Sequence, residues 1–438
     1  MNHSSKTEKL ALFGGPKTIQ SDFKRYNPIG TEEVQAAKEV IESGVLSQFL
    51  GAWHEDFYGG PKVREFEYRC AEYFGVKHAV TFNSWTSGLV AAVGAIGIEP
   101  GDEVIVTPWT MSASATAILH WNAIPVFADI DPETFNLDPK SVEANITSYT
   151  KAIMVADIFG QSADIDELMA IAAKHGLKVI SDTAQAPGAL YKGKHAGTLA
   201  HVGGYSLNYH KHIHTGEGGI LVTDDDEIAE RSQLIRNHAE VVVGDKGVTK
   251  LSNMIGHNFR LGEIECAIGI EQLKKLSGFV QSRQAMADRL TAGLKGLRGL
   301  RTPLVKPDRS HVYYVYPLIL DIKKLGVGRE RIHAALQAEG VAVSDRYQNI
   351  HLLPVYQRKL AYGSRGFPWT SDICHRDVDY RKGICPVAEE LNDVSYLGFG
   401  MCVYDLTEAD VDLIAAAFRK VWANLNFLQE GASVASTA

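Results

Sequence analysis

Long apolar runs are missing from this chain of 438 residues. Nothing approaches the ~18 consecutive apolar residues of a membrane-spanning helix, so no membrane partner is expected. An excess of basic charge is missing too. Lys plus Arg number 44 against 52 for Asp plus Glu, a formal net charge of −8. That balance argues against nucleic acid or an anionic lipid surface as the main partner. Cysteine is scarce, and Cys70, Cys266, Cys374, Cys385 and Cys402 are odd in number and form no Cys-x-x-Cys pair. A disulfide framework is thereby excluded, and free thiols in a reducing cytoplasm are expected. The opening Met1-Asn2-His3-Ser4-Ser5-Lys6 lacks the basic-then-apolar plan of a secretory signal. The glycosylation-like triplets at Asn2 and Asn145 carry no weight in that setting. Neither a P-loop nor a strand-placed Gly-x-Gly-x-x-Gly is present, so those phosphate fingerprints are excluded. Repeats are absent, and the one low-complexity tract is the small-residue tail 431–438, expected to fray.

What is present is an alternation of strand-length apolar runs with helical stretches. Strands are expected at 77–82, 103–107, 124–129, 152–155, 178–181 and 219–223. Helices are expected at 86–96, 113–121 and 165–174, after a first helix at 31–43 with Thr31 as N-cap. The strands are almost continuously hydrophobic, as parallel strands buried on both faces must be. The pattern specifies a doubly wound α/β unit, whose chemistry gathers after the carboxyl ends of its strands. Past Glu263 the character changes. A long helix over 262–294 leads to strands at 312–320 and 341–345 and helices at 329–338 and 408–425, a smaller α/β unit of roughly 150 residues.

The post-strand segments carry the candidate chemistry. Asn83-Ser84-Trp85-Thr86-Ser87-Gly88 leaves backbone N–H groups and hydroxyls at a helix start, a ready anion site, although plain capping by Ser84 or Thr86 explains it equally. Asp182 ends a buried strand, where an acid needs a cationic or hydrogen-bonding partner unless it caps the next helix. His210, His212 and His214 alternate as metal ligands would on one strand face, but no further ligand is singled out, so no metal is expected. Lys211 lies among them, before Thr215-Gly216-Glu217-Gly218-Gly219. Partly desolvated, such a lysine becomes a Schiff-base nucleophile; on the surface it is only a solvated charge.

In order and spacing, Asp182 with Gln185 three residues on, then Ser206-x-x-x-x-Lys211 before the glycine-rich turn, resembles pyridoxal-phosphate enzymes of fold type I. More narrowly it resembles the DegT/DnrJ/StrS family of sugar aminotransferases, from Leu10-Ala11-Leu12-Phe13-Gly14-Gly15 to Cys385-Pro386-Val387-Ala388-Glu389. Family-like stretches between include Gly256-His257-Asn258-Phe259-Arg260-Leu261 and Tyr313-Tyr314-Val315-Tyr316-Pro317. The resemblance implies a large domain over 31–275 with a mostly parallel seven-stranded sheet. It also implies an N-terminal arm over 1–30 and a smaller C-terminal α/β domain over 276–438.

It further implies pyridoxal 5′-phosphate as cofactor, with Lys211 holding it covalently and then moving protons. Asp182 would face the pyridine nitrogen and Gln185 would lie beside the ring. Thr86, Ser87 and Ser206 match the family's phosphate contacts. Asn258 matches one that reaches the phosphate from a neighbouring subunit, which implies a homodimer with shared active sites. After Pro108 the family has aromatic-Thr-aromatic, whereas here Trp109-Thr110-Met111 stands. Either Met111 or Trp109 would therefore pack on the ring. Related dehydratases carry histidine in place of the lysine, so Lys211 favours amino transfer over a sugar dehydratase or a non-catalytic cofactor-binding regulator. The expected reaction takes an amino group from glutamate or glutamine to a ketone on a sugar, free, phosphorylated or nucleotide-linked, or on a cyclitol. The opening stretch and Phe57-Tyr58-Gly59-Gly60-Pro61 resemble the branch serving aminoglycoside-type biosynthesis. Arg260, Lys192 and the histidines are candidates to meet an acceptor phosphate or donor carboxylate. The stretch 364–381 is either an acceptor loop or surface.

Overall fold

The computed structural model describes residues 8–429; the polar opening residues and the small-residue tail lie outside that span. Strands β1 (His78–Phe82), β2 (Glu103–Val106), β3 (Ile124–Phe127), β4 (Thr150–Ala156) and β5 (Lys178–Asp182) open the large sheet. A short hairpin, β6 (Leu190–Tyr191) and β7 (Lys194–His195), precedes β8 (Val202–Ser206) and β9 (Gly219–Thr223). The seven-stranded order is β1-β9-β8-β5-β4-β2-β3. Only β9 runs against its neighbours; the other pairings are parallel. Val104, Ile105, Ile153, Met154 and Val179 are fully buried in it, the two-sided burial that continuous apolar runs demand.

Strand β8 escapes a reading by hydrophobicity, because Gly203-Gly204 interrupt it. Both glycines answer close approach. A Cβ on Gly203 would lie 2.0 Å from the Gly197 carbonyl oxygen. One on Gly204 would lie 2.2 Å from both the Trp85 ring and the Ile220 carbonyl. The helix Trp85–Ala95 therefore sets its first residue directly on the sheet.

A second, antiparallel sheet has the order β10-β11-β13-β12, from β10 (Leu300–Arg301), β11 (Tyr316–Leu320), β12 (Val343–Ser344) and β13 (Tyr396–Phe399). The strand expected from 312 starts only at Tyr316, since Tyr313 is left-handed (φ 53°). The strand expected at 341–345 shrinks to two residues. Inner strand β13 is unforeseen: it is four residues long and emerges from a π-turn over Leu391–Ser395. Leu318, Leu397 and Phe399 pack with Leu336 and Phe418, and Leu10 and Ile19 of the N-terminal stretch join them. The long helix, Glu263–Leu294, spans about 48 Å. Its early residues Cys266 and Ile270 pack beneath the large sheet and its late residues Leu290 and Leu294 enter the second core.

One local expectation changes. Helix Thr31–Ser43 is capped from Gly30, not Thr31, because the Glu33 carboxylate turns back to accept the Gly30 N–H at 2.7 Å. The stretch 364–381 is anchored by two aromatic residues. Trp369 and Tyr380 are buried in the large core, Trp369 donating to Tyr380 at 3.0 Å and Tyr380 to the Pro125 carbonyl at 2.7 Å. It covers edge strand β3 and so closes a free sheet edge. No helix among the described residues is long and apolar enough to cross a membrane.

The contact at β8 yields a test. Gly204→Ala forces the Trp85 ring off the sheet and is expected to cost roughly 1–3 kcal/mol, read as a lowered thermal midpoint.

Candidate active site

A cavity of about 250 Å³ opens where several strands of the large sheet end. Ser84, Trp85 and Thr86 follow β1, and Met111 and Ala113 come after β2. Asp182, Ala184 and Gln185 lie at the end of β5; Ser206, Asn208, His210 and Lys211 run on from β8. Tyr314 and Tyr347 reach in from the segments around the second sheet.

Asp182 does not cap a helix. Its Oδ1 accepts from Trp85 Nε1 at 2.8 Å and the Ala184 N–H at 3.3 Å, and its Oδ2 accepts from Ser114 Oγ at 2.6 Å. Both oxygens of this buried carboxylate are thus held. Below it lies Asp157, whose Oδ1 accepts from the Ala163 N–H at 2.9 Å. Its Oδ2 accepts from Thr183 Oγ1 at 2.7 Å and Ser181 Oγ at 3.2 Å. Burial raises the Asp157 carboxyl to about 6.

Lys211 is 7% exposed. Its backbone N–H closes a turn onto the Asn208 carbonyl at 2.9 Å, and its Nζ sits 4.4 Å from the centre of the Tyr314 ring. Burial lowers its pKa to about 8, against the opposing pull of Asp182 and Cys402. A primary amine so placed has an uncharged fraction near neutrality.

The cavity gathers Thr86, Met111, Asp182, Gln185, Ser206 and Lys211, and leaves out Ser87, Trp109 and Asn258. Ser87 turns inward to its own helix start, donating to Asn83 Oδ1 at 2.7 Å while its N–H meets the cap Ser84 at 3.1 Å. Trp109 is fully buried, stacked on Phe135 at 5.8 Å, so it has no free face for a ring; Met111 is exposed at the cavity wall instead. Asn258 is exposed outside the cavity and accepts from Arg260 Nε at 2.7 Å. Lys192 pairs with Asp166 at 2.6 Å on the surface, so neither Arg260 nor Lys192 lines the cavity. The three histidines diverge. His210 lines the cavity, His212 is buried and donates to the Val312 carbonyl at 2.8 Å, and His214 accepts from the Gly216 N–H at 3.2 Å.

Four contributors were not legible beforehand: Trp85 and Ser114 on Asp182, Tyr314 on Lys211, and Tyr347. Tyr347 Oη receives Gln185 Nε2 at 3.1 Å, while Gln185 Oε1 accepts from the Phe159 N–H at 2.9 Å. Their one signal was the Thr110/Ser114 spacing of four, which puts the two hydroxyls 2.9 Å apart.

The donor set fits a phosphorylated pyridine aldehyde. A held carboxylate suits a ring N–H, a buried weakly basic amine suits the aldehyde, and a hydroxyl-bearing helix start suits the phosphate. Asn208, which lines the same cavity, has its Oδ1 buried without a partner among the described residues. Such a site at the ends of this sheet defines a pyridoxal-phosphate-dependent aminotransferase of fold type I. The sequence pattern of the DegT/DnrJ/EryC1/StrS aminotransferase family matches residues 29–382, and the chain belongs to that family. L-glutamine:scyllo-inosose aminotransferase of Streptomyces griseus is 34% identical over 425 residues, covering 95% of this chain and 98% of the relative. GDP-perosamine synthase of Caulobacter vibrioides is 35% identical over 363 residues, covering 83% and 90%. The solved aminotransferase from Psychrobacter cryohalolentis superposes with a TM-score of 0.78 at 28% identity, over 92% of this chain and 100% of that one.

The lowered basicity of Lys211 sets a pH profile. Only its uncharged amine captures the aldehyde, so cofactor uptake by stripped protein should rise through a midpoint near pH 8. A midpoint near 10.5, the ordinary lysine value, would contradict the burial argument.

Proposed function

We propose that this aminotransferase moves an amino group from glutamine or glutamate to a ketone on a sugar or cyclitol, in amino-sugar or aminoglycoside-type biosynthesis. The observation that carries the reading is the meeting, in one cavity, of the weakly basic Lys211 and the doubly held Asp182. When bound, pyridoxal phosphate supplies an electron sink and a temporary carrier for the amino group.

The remaining work falls to the chain. Asp182, pinned by Trp85 and Ser114, would hold a proton on the pyridine nitrogen of a bound cofactor. Lys211 anchors the cofactor and then accepts and returns a proton at Nζ. Burial keeps that nitrogen weakly basic, and the Tyr314 ring lies 4.4 Å from it. Thr86 and Ser206 bind the phosphate with the helix start, which Ser87 holds in shape through Asn83. Met111 would pack on the cofactor ring from the cavity wall, and Gln185 orients Tyr347 in the same cavity. Lysine at 211 weighs against a dehydratase, and an intact Asp182–Lys211 pair against a regulator.

Homodimer formation belongs to the same reading, with Asn258 reaching the partner's phosphate. Its support is the exposed apolar surface near that residue, Val241, Leu251 and Ile255. The reading keeps an arm over 1–30, a cofactor-binding domain over 31–275 and a smaller domain over 276–438, from which Trp369 and Tyr380 pack back into the large core. It keeps a cytoplasmic location, on the strength of free thiols.

The test is an absorbance spectrum of the purified holoenzyme before and after glutamine or glutamate. The visible band should shift with one donor. Lys211→Ala should lose more than about 10⁴-fold in amino transfer, since anchoring and proton movement fail together. A band indifferent to both donors would overturn the reading.

A further inference from the structure

A small cavity, of about 140 Å³, opens where residues 26–27, the long helix and residues 401–406 meet. It shares no lining residue with the cofactor cavity. The two are nonetheless close, because Tyr26 on its wall donates its hydroxyl at 2.7 Å to the carbonyl of His212, the residue after Lys211. Arg283 of the long helix lines the cavity and is only 6% exposed. Its Nε and Nη1 are shut away without a partner among the described residues. Nη2 is not shut away with them, and through it the guanidinium reaches the cavity. The guanidinium carbon lies 4.4 Å from the centre of the Tyr26 ring, which offers an aromatic face but no counter-charge.

The neighbouring groups supply no counter-charge either. Burial pushes the Tyr26 phenol up to about 12, so it keeps its proton. Burial likewise raises the Cys402 thiol. The carboxylate on the cavity wall, Asp405, is half-exposed and held by Lys24 at 2.6 Å. A guanidinium buried without an anion is costly, and a charge-assisted hydrogen bond from a ligand offsets that cost. The rest of the wall is largely apolar, with Phe279, Met286, Met401 and Leu406. Asp405 repels a second negative charge, so a phosphate is disfavoured and a single carboxylate is not.

We propose that this cavity is a binding site, separate from the site of amino transfer, for a small monocarboxylate with an apolar body. The carboxylate accepts from Arg283 Nη2, and the apolar body lies against Phe279 and Met286. A ligand so placed ties together the N-terminal stretch, the long helix and the segment after β13. The site stands apart from the amino-transfer reading, and its test needs no turnover.

The experiment follows the thermal midpoint of the holoenzyme, with calorimetric titration beside it, at constant ionic strength. The probes are isovalerate, its uncharged counterpart isovaleramide, and inorganic phosphate. Isovalerate should bind and raise the midpoint, while isovaleramide and phosphate should do neither. Arg283→Met should weaken isovalerate about tenfold. Without ligand it should melt no lower than the wild type, since an unpaired buried charge goes with the arginine. Ser282→Trp, at an exposed position on the same wall, fills the cavity with Arg283 intact and should block isovalerate as well. Isovalerate without effect would overturn the proposal, and a partner chain's carboxylate already seated on Arg283 would give that result. So would isovaleramide or phosphate acting as strongly as isovalerate, or isovalerate binding that either variant leaves intact. An Arg283→Met that melts well below the wild type would overturn it too, as the sign of a guanidinium already paired.

Discussion

A carboxylate at the end of a fully buried strand has to be met by donors, and much of this structure follows from how Asp182 is met. One donor is the indole of Trp85, the first residue of the helix after β1. Another is the hydroxyl of Ser114 on the helix after β2. For the indole to reach, its ring must lie on β8, and only glycine at 204 leaves room. Glycine at 219 is needed for the same reason, since a Cβ there would lie 2.5 Å from the Trp85 backbone nitrogen. The helix start that presents Ser84 and Thr86 to the cavity is therefore placed by the same contact that fixes the acid.

Lys211 shows the complementary balance. Burial pushes its proton off while Asp182 pulls it back, and burial is the larger effect. A closer Asp182 would make a salt bridge and leave the amine charged. The polar layer beneath, Asp157 with Ser181 and Thr183, stiffens the end of β5 that carries Asp182. Its own carboxyl is raised by burial to about 6, the expense of keeping a second acid in a dry place.

What was legible in the sequence divides along this line. Strands buried on both faces advertise themselves by continuous apolar runs, so β2, β3, β4 and β9 were plain. Lys211, Asp182, Gln185 and Ser206 were legible by order and spacing, and they share one cavity. β8 was hidden because the space its side chains would need belongs to Trp85. The partners of Asp182 were hidden because they lie 97 and 68 residues away along the chain. Trp109 misled for a related reason. An aromatic beside a strand end fits a stacking role, but its indole is committed to Asn349, 240 residues on. Residues 345–349 show no periodicity at all, as a segment shaped by single side-chain contacts has none to show.

The cofactor cavity and the one that shares Met111 and Tyr347 with it differ in where their walls originate. The acid, the amine and the helix start come from the ends of the large sheet's strands, where backbone pairing holds each position and leaves little freedom for change. The second cavity draws on 346–353, a stretch between β12 and β13 that is fixed at Pro108–Trp109 by a single bridge and a few side-chain bonds. Trp109 joins the two walls, packed with Phe135 on one side and bonded to Asn349 on the other.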